Sequence, residues 1–146
     1  MSQTQSNNIL ITGASGMIGS ALVEHLSNFG FTVHQLSRDS TDAPFYFEAD
    51  LGRVHLDPST PLLAVINLAG PSIADKRWSE GRKREILDSR QQLTHALATA
   101  LAESGDKPRT FLSASAIGYY GATYESNFNE SSPVGSDFLA EVGQAW

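Results

Sequence analysis

The 146-residue sequence contains no cysteine. Disulfides and thiolate metal sites are therefore excluded as sources of stability or chemistry. Positive charge is scarce as well: 10 Lys and Arg face 16 Asp and Glu, for a formal net charge of −6. Binding a phosphate backbone needs a surplus of cations, so no nucleic-acid partner is expected. No apolar run approaches the roughly 20 residues of a membrane-spanning helix. The N-terminal MSQTQSNN has no basic stretch leading into an apolar one, which leaves no targeting signal to read. No membrane partner is expected, and the expected location is the cytoplasm. The histidines, His25, His34, His55 and His95, are scattered. The nearest pairing, His55 with Asp57, is too isolated to hold an ion, and no metal is expected.

What is present is the composition of an ordinary globular domain, 40% hydrophobic and 18% charged, with enough chain for one core. Asn8 to Thr12 (NILIT) is a short apolar run before a glycine turn and reads as a buried strand. A helical pattern follows, with apolar residues at Ile18, Ala21, Leu22, Leu26 and Phe29 and Gly30 as its terminator. Phe31 to Leu36 predicts a second strand and Phe45 to Phe47 a third. Residues 51 to 61 carry no clear pattern beyond one helical turn. Leu63 to Leu68 predicts a fourth strand, and a long helix is expected from about Ser79 to Ser104, with Ile86, Leu93, Leu97, Ala100 and Leu101 at the 3.6-residue period. Thr110 to Ser113 opens a fifth strand. Apolar strands separated by amphipathic helices imply a doubly wound parallel α/β sheet, a Rossmann fold, with helices on both faces. The segment Asp137 to Trp146 starts as a helix and stops on a tryptophan without a cap. The expectation is one dinucleotide-binding domain over residues 1–146, truncated after its fifth strand.

Thr12 to Gly19 reads TGASGMIG, with glycines at 13, 16 and 19 between the first strand and the first helix. Gly13 permits a tight turn, Gly16 lets backbone N–H groups approach a pyrophosphate, and Gly19 lets helix and strand pack closely. The order of strand, loop and helix favours a dinucleotide site over a purely structural turn. The end of the second strand then selects the cofactor. Ser37 and Arg38 favour the 2′-phosphate of NADP through a charge-assisted contact, whereas Asp39 keeps NAD open. The alternative is a surface Arg–Asp pair.

Five motifs together resemble one family: TGASGMIG, NLAG at 67–70, ADKRW at 74–78, SASAIGYYG at 113–121 and DFLAEV at 137–142. They resemble an atypical branch of the extended short-chain dehydrogenase/reductase superfamily, the sugar-nucleotide epimerase-like branch of the NAD-dependent epimerase/dehydratase family. The resemblance runs from about residue 8 to the last residue. It corresponds to the N-terminal half of the family only, so the family's substrate-binding C-terminal part is expected to be absent from this chain. By this resemblance Gly13, Gly16 and Gly19 cradle the pyrophosphate, with Ser15, Met17 and Ile18 supplying loop backbone. Arg38 approaches the 2′-phosphate, and Asp50 and Leu51 stand where the adenine is contacted. Asn67, Leu68, Ala69 and Gly70 line the cofactor, and Ser113, Ala114 and Ser115 lie near the nicotinamide.

Typical superfamily members use a Ser or Thr, a Tyr, and a Lys four residues after that Tyr. The phenol, with an ordinary pKa of about 10, moves a proton near neutral pH only if a cation favours phenolate. No tyrosine here has a lysine at that spacing, the lysines being Lys76, Lys83 and Lys107. By resemblance the Tyr and Lys positions are Phe138 and Val142, neither of which carries a proton. Asp137 and Glu141 do not reproduce the missing pair. Ser113, Ser115 and Tyr119 are the substitute candidates, each with a packing or backbone-bonding alternative. Lys76, Arg77 and Trp78 either clamp an anionic or sugar substrate or simply lead into a solvated helix. Two readings stand. One is an NADP(H)-dependent oxidoreductase or epimerase acting by hydride transfer on a small carbonyl or hydroxyl substrate such as a sugar nucleotide. The other is a non-catalytic dinucleotide-binding sensor.

Overall fold

The computed structural model describes residues 6–38, 40–122 and 127–146. The chain divides into two compact units. One comprises residues 1–69 and 92–113, the other residues 70–91 and 114–146.

In the first unit, strands β1 (Asn8–Thr12), β2 (Thr32–Gln35), β5 (Ala64–Asn67) and β6 (Thr110–Ser113) form a sheet in the order β2-β1-β5-β6. Every pairing in it is parallel, with Leu10 opposite His34 on one side and Val65 on the other. The sheet is covered on both faces. Helix α1 (Met17–Asn28) packs Leu22, Val23 and Leu26 against Ile9, Ile11, Ala64 and Ile66. On the other face Leu10 and Val65 meet Leu93, Ala96, Leu97 and Leu101 of helix α2 (Glu80–Glu103). Alternate residues of one strand thus serve two cores, as a sheet buried on both faces requires. This is the expected Rossmann-like α/β fold.

Two details depart from expectation. The predicted third strand does not extend the parallel sheet as a full strand. As β3 (Phe45–Glu48) it pairs antiparallel with β4 (Arg53–Leu56), which falls in the stretch of sequence without a clear pattern. Their link is a 3₁₀ turn, Ala49–Leu51, closed by Gly52 at φ +58°. Phe45, Val54 and in part Phe47 and Leu56 point into the core under α2. The hairpin joins the main sheet through Ser37, whose N–H donates to the Phe45 carbonyl at 2.9 Å and whose carbonyl accepts from Phe47 N–H at 2.8 Å. The second departure is the face of α1. Ile18 and Phe29 are 60% and 71% exposed, and the packed face runs through Gly19, Leu22, Val23 and Leu26. Gly30 does terminate this helix, at φ +85°. Its N–H donates to the Ser27 carbonyl and that of Phe31 to Leu26, a Schellman motif.

The second unit holds the first part of α2, a 3₁₀ turn at Ile117–Tyr120 and helix α3 (Phe138–Ala145). Ser79 starts α2 by accepting from Arg82 N–H at 3.2 Å. Asp137 starts α3 in the same way, accepting from Ala140 N–H at 2.9 Å.

Candidate functional site

In the first unit the strand order reverses between β1 and β5, and the residues leaving these strands sit side by side. Gly13 has φ +69°, and a Cβ there would lie 3.0 Å from the Leu68 carbonyl and the Ala69 nitrogen. Only glycine meets both constraints. Gly19 is buried, and a Cβ on it would run into the carbonyl oxygen of Gly13. The start of α1 is therefore pressed onto its own loop. Gly16, which begins the helix, provides no side-chain cap and no acidic residue occupies the first turn. Ser15, Gly16, Met17 and Ile18 are exposed, so the first-turn amides and the positive end of the helix dipole face outward unobstructed. A helix start of this kind, with its first-turn N–H groups uncapped, is chemically suited to receive an anion.

Beneath it lies a buried polar network that no sequence motif announces. Thr12 Oγ donates to Asn67 Oδ1 at 2.7 Å and accepts from the Leu68 and Ala69 N–H groups, each at 3.1 Å. Asn67 Nδ2 donates to Thr94 Oγ at 2.8 Å and to Ser113 Oγ at 3.2 Å. Thr12 and Asn67 are 1% and 0% exposed. The network ties the ends of β1, β5 and β6 to α2, and every buried side-chain nitrogen and oxygen within it has a partner. Asn67 thus holds these elements together through both ends of its amide. Its amide is occupied from within, and it positions the segment Leu68–Ala69. Ser113 is brought to this cluster and is exposed.

The other expected positions of this unit lie farther along the strand ends. Arg38 is exposed, and its guanidinium has no hydrogen-bond or ion-pair partner among the described residues. It follows Ser37, anchored by the two backbone bonds to β3, and Ser37 Oγ accepts from Ser40 N–H at 3.1 Å. Asp39 lies outside the described residues. Asp50 and Leu51 form the exposed 3₁₀ turn of the hairpin. Leu51 also borders a cavity of about 740 Å³ lined by His55, Asp57, Thr60, His95 and Thr99 among others. Asp57 accepts from Thr60 Oγ and from Ser59 Oγ and N–H. These bonds, that of Thr60 foremost, hold its carboxyl below the ordinary value.

Gly70, Ser115 and Tyr119 belong to the second unit. A Cβ on Gly70 would lie 2.6 Å from the guanidinium carbon of Arg90. Arg90 is 8% exposed and donates to the carbonyls of Ile86 (3.1 Å) and Pro71 (2.9 Å), with its guanidinium 5.0 Å from the centre of the Trp146 ring. Its place in the fold is therefore structural. Burial first, then the charge of Arg82, pulls its pKa below the usual arginine value.

Tyr119 packs edge-on against Tyr120 and closely against Gly143 of α3. Tyr120 in turn stacks on Phe128 at 4.8 Å. Neither Ser115 nor the Tyr119 hydroxyl has a hydrogen-bond partner among the described residues. Phe138 meets Trp78 edge-on at 5.3 Å, with Lys83 Nζ 5.8 Å from its ring centre. Val142 is 5% exposed. Among the described residues no group of three or more His, Asp or Glu side chains is placed to hold a metal ion, and no helix is long and apolar enough to cross a membrane.

The model of the NAD dependent epimerase/dehydratase family matches residues 9–138. An epimerase family protein of Mycobacterium leprae is 38% identical over 140 residues, which is 94% of this chain and 45% of that protein. A crystal structure of a human epimerase family protein with NADPH aligns with TM-score 0.79 at 28% identity, covering 95% of this chain and 47% of that one. The UDP-N-acetylglucosamine 4-epimerase of Bacillus cereus aligns with TM-score 0.66 at 26% identity, covering 94% and 45%. The chain thus spans about half the length of the relatives it matches.

Proposed function

The chain belongs to the NAD dependent epimerase/dehydratase family, and from that premise we propose that it binds NADP(H) and serves hydride transfer to or from a small carbonyl or hydroxyl substrate. The observation that carries this reading is the cradle at the start of α1, where Gly13 and Gly19 have no room for a side chain and the first-turn amides are uncapped. In this reading those amides hold the pyrophosphate, and Ser15, Gly16, Met17 and Ile18 offer it backbone. The guanidinium of Arg38, which has no partner among the described residues, takes the 2′-phosphate in a charge-assisted contact, with Ser37 beside it. NADPH in the human relative's structure supports that preference. Asp50 and Leu51 are assigned to the adenine side, and Leu68, Ala69 and Gly70 line the cofactor, with Leu68 and Ala69 held in place by Thr12.

The bound nicotinamide would supply the hydride chemistry, and this chain's own side chains would orient the substrate and its proton. Ser113, Ser115 and Tyr119 are the hydroxyls proposed for the reacting oxygen. A sugar nucleotide is the substrate class suggested by the resemblance and by the Bacillus cereus relative. A second reading, a dinucleotide sensor without turnover, is favoured by the positions that the resemblance gives to the Tyr and Lys: they hold Phe138 and the buried Val142. Single-turnover oxidation of bound NADPH by candidate keto-sugars separates the two. Oxidation that is lost in Tyr119→Phe or Ser115→Ala supports the enzyme, and tight NADPH binding with no oxidation supports the sensor.

A further inference from the structure

The segment after β5 carries six cations between residues 70 and 91, Lys76, Arg77, Arg82, Lys83, Arg84 and Arg90, against four acids, Asp75, Glu80, Glu85 and Asp88. The ion pairs distribute these unevenly. Arg82 takes both Asp75 (2.6 Å) and Glu85 (2.8 Å), and Lys83 takes Glu80 (3.0 Å). Lys76, Arg77 and Arg84 are exposed with no partner among the described residues, and the buried Arg90 donates to two carbonyls and has no ion pair among those residues. The stretch therefore holds unbalanced positive charge within a chain whose overall charge is negative.

The loop bearing Lys76 and Arg77 is also fixed in shape from inside. Arg90 donates to the Pro71 carbonyl and Arg82 to that of Ser72, at 2.9 and 2.6 Å. Ser72 Oγ accepts from Ala74 N–H at 3.2 Å, and Trp78 Nε1 donates to the Ile73 carbonyl at 2.7 Å. Trp78 is itself pinned against Phe138. Gly70 lets the chain lie directly on the Arg90 guanidinium. Burying two arginines to hold three loop residues is costly unless the loop's shape matters. A loop rigidified before binding loses less entropy when a ligand arrives.

We propose that residues 70–78 form a preorganised anion-recognition loop, in which Lys76 and Arg77 contact a phosphate or diphosphate group of the substrate and Arg82 and Arg90 are positioning residues. This rests on the reading that the protein serves a small-molecule substrate, and it narrows that substrate to an anionic one. Two adjacent cations on one fixed loop match a compact, multiply charged group, and the negative chain repels an extended polyanion.

The test is calorimetric titration of the protein with inorganic pyrophosphate at low salt, with NADPH present and absent. The Lys76→Met/Arg77→Met variant is expected to weaken pyrophosphate binding about tenfold while the NADPH affinity stays unchanged. Arg90→Met is expected to weaken pyrophosphate binding although it does not contact the ligand, and to have no further effect in the Lys76→Met/Arg77→Met background. A merely structural arginine would give the same loss in both backgrounds. Equal pyrophosphate affinity in the parent and the Lys76→Met/Arg77→Met variant, both saturated with NADPH so that the cradle is occupied, overturns the proposal. So does a single-stranded oligonucleotide that binds tighter than pyrophosphate through the same two residues. Failure of NADPH to bind refutes the dinucleotide reading instead, and the parent-to-variant ratio for pyrophosphate still judges the loop.

Discussion

Thr12 and Asn67, 55 residues apart, share a 2.7 Å hydrogen bond that is sealed from solvent at the ends of β1 and β5. The same threonine oxygen accepts two N–H groups of the segment that follows β5. Replacing it with an isosteric Val leaves the Asn67 side-chain carbonyl and the Ala69 N–H without their partner, while Leu68 N–H keeps its 3.3 Å bond to the Thr12 backbone carbonyl. Thr12→Val is expected to cost about 1–3 kcal/mol of stability in urea unfolding, and to weaken NADPH binding as Leu68–Ala69 loosens. Thr12→Ser keeps the oxygen and is expected to keep both properties.

Gly19 and Gly30 separate close approach from backbone conformation. A methyl group on Gly19 meets the Gly13 carbonyl, whereas one on Gly30 meets nothing within 4 Å. Gly19→Ala is expected to cost roughly 1–3 kcal/mol by overpacking and to abolish NADPH binding. Gly30→Ala, strained only by its positive φ, is expected to cost about 1–2 kcal/mol and to leave binding unchanged. Chemical denaturation and a fluorescence titration of each variant check both.

Much of the fold is legible in the sequence, for identifiable reasons. Apolar strands and the glycine turn announce the sheet and the cradle, because each has a strict local requirement. The hairpin is not legible, although Phe45 and Phe47 alternate as Val54 and Leu56 do, with Gly52 at the turn. The pattern is only two apolar residues long on each strand, too short to stand out before the pairing is known. The burial of Arg82 and Arg90 is hard to read from sequence for a different reason. They fall on the same stripe as Ile86, Leu93 and Leu97, and that spacing implies burial, but charge argues for the surface. The stripe prevails because carbonyls and carboxylates are available to receive the guanidinium groups. The Thr12–Asn67 network depends on side chains from β1, β5, β6 and α2 meeting, which no local pattern encodes.

Asp57 gives a pH signature. Its folded pKa is depressed by hydrogen bonds from Thr60 and Ser59, so its contribution to stability is present above the unfolded value of about 3.9. That contribution is lost as pH falls through the folded value. Asp57→Asn is expected to lower the melting temperature at pH 7. The difference from the parent is expected to vanish as the pH is taken below about 4, which thermal melts across that range would show.

Restoring the superfamily's Tyr and Lys is expected to fail. Val142 lies on the packed face of α3 and is 5% exposed, so a lysine there would bury an ammonium group. Phe138→Tyr/Val142→Lys is expected to lose several kcal/mol of stability relative to Phe138→Tyr alone. Urea midpoints of the two variants provide the comparison.

The central claim, an NADP(H) site built on the glycine cradle and read by Arg38, is tested most directly by titrating NADPH and NADH against the parent and Arg38→Asp. The account predicts that the parent binds NADPH at least about tenfold more tightly than NADH and that Arg38→Asp removes or reverses the difference. Equal affinities in the parent, with a ratio unmoved by Arg38→Asp, would contradict it.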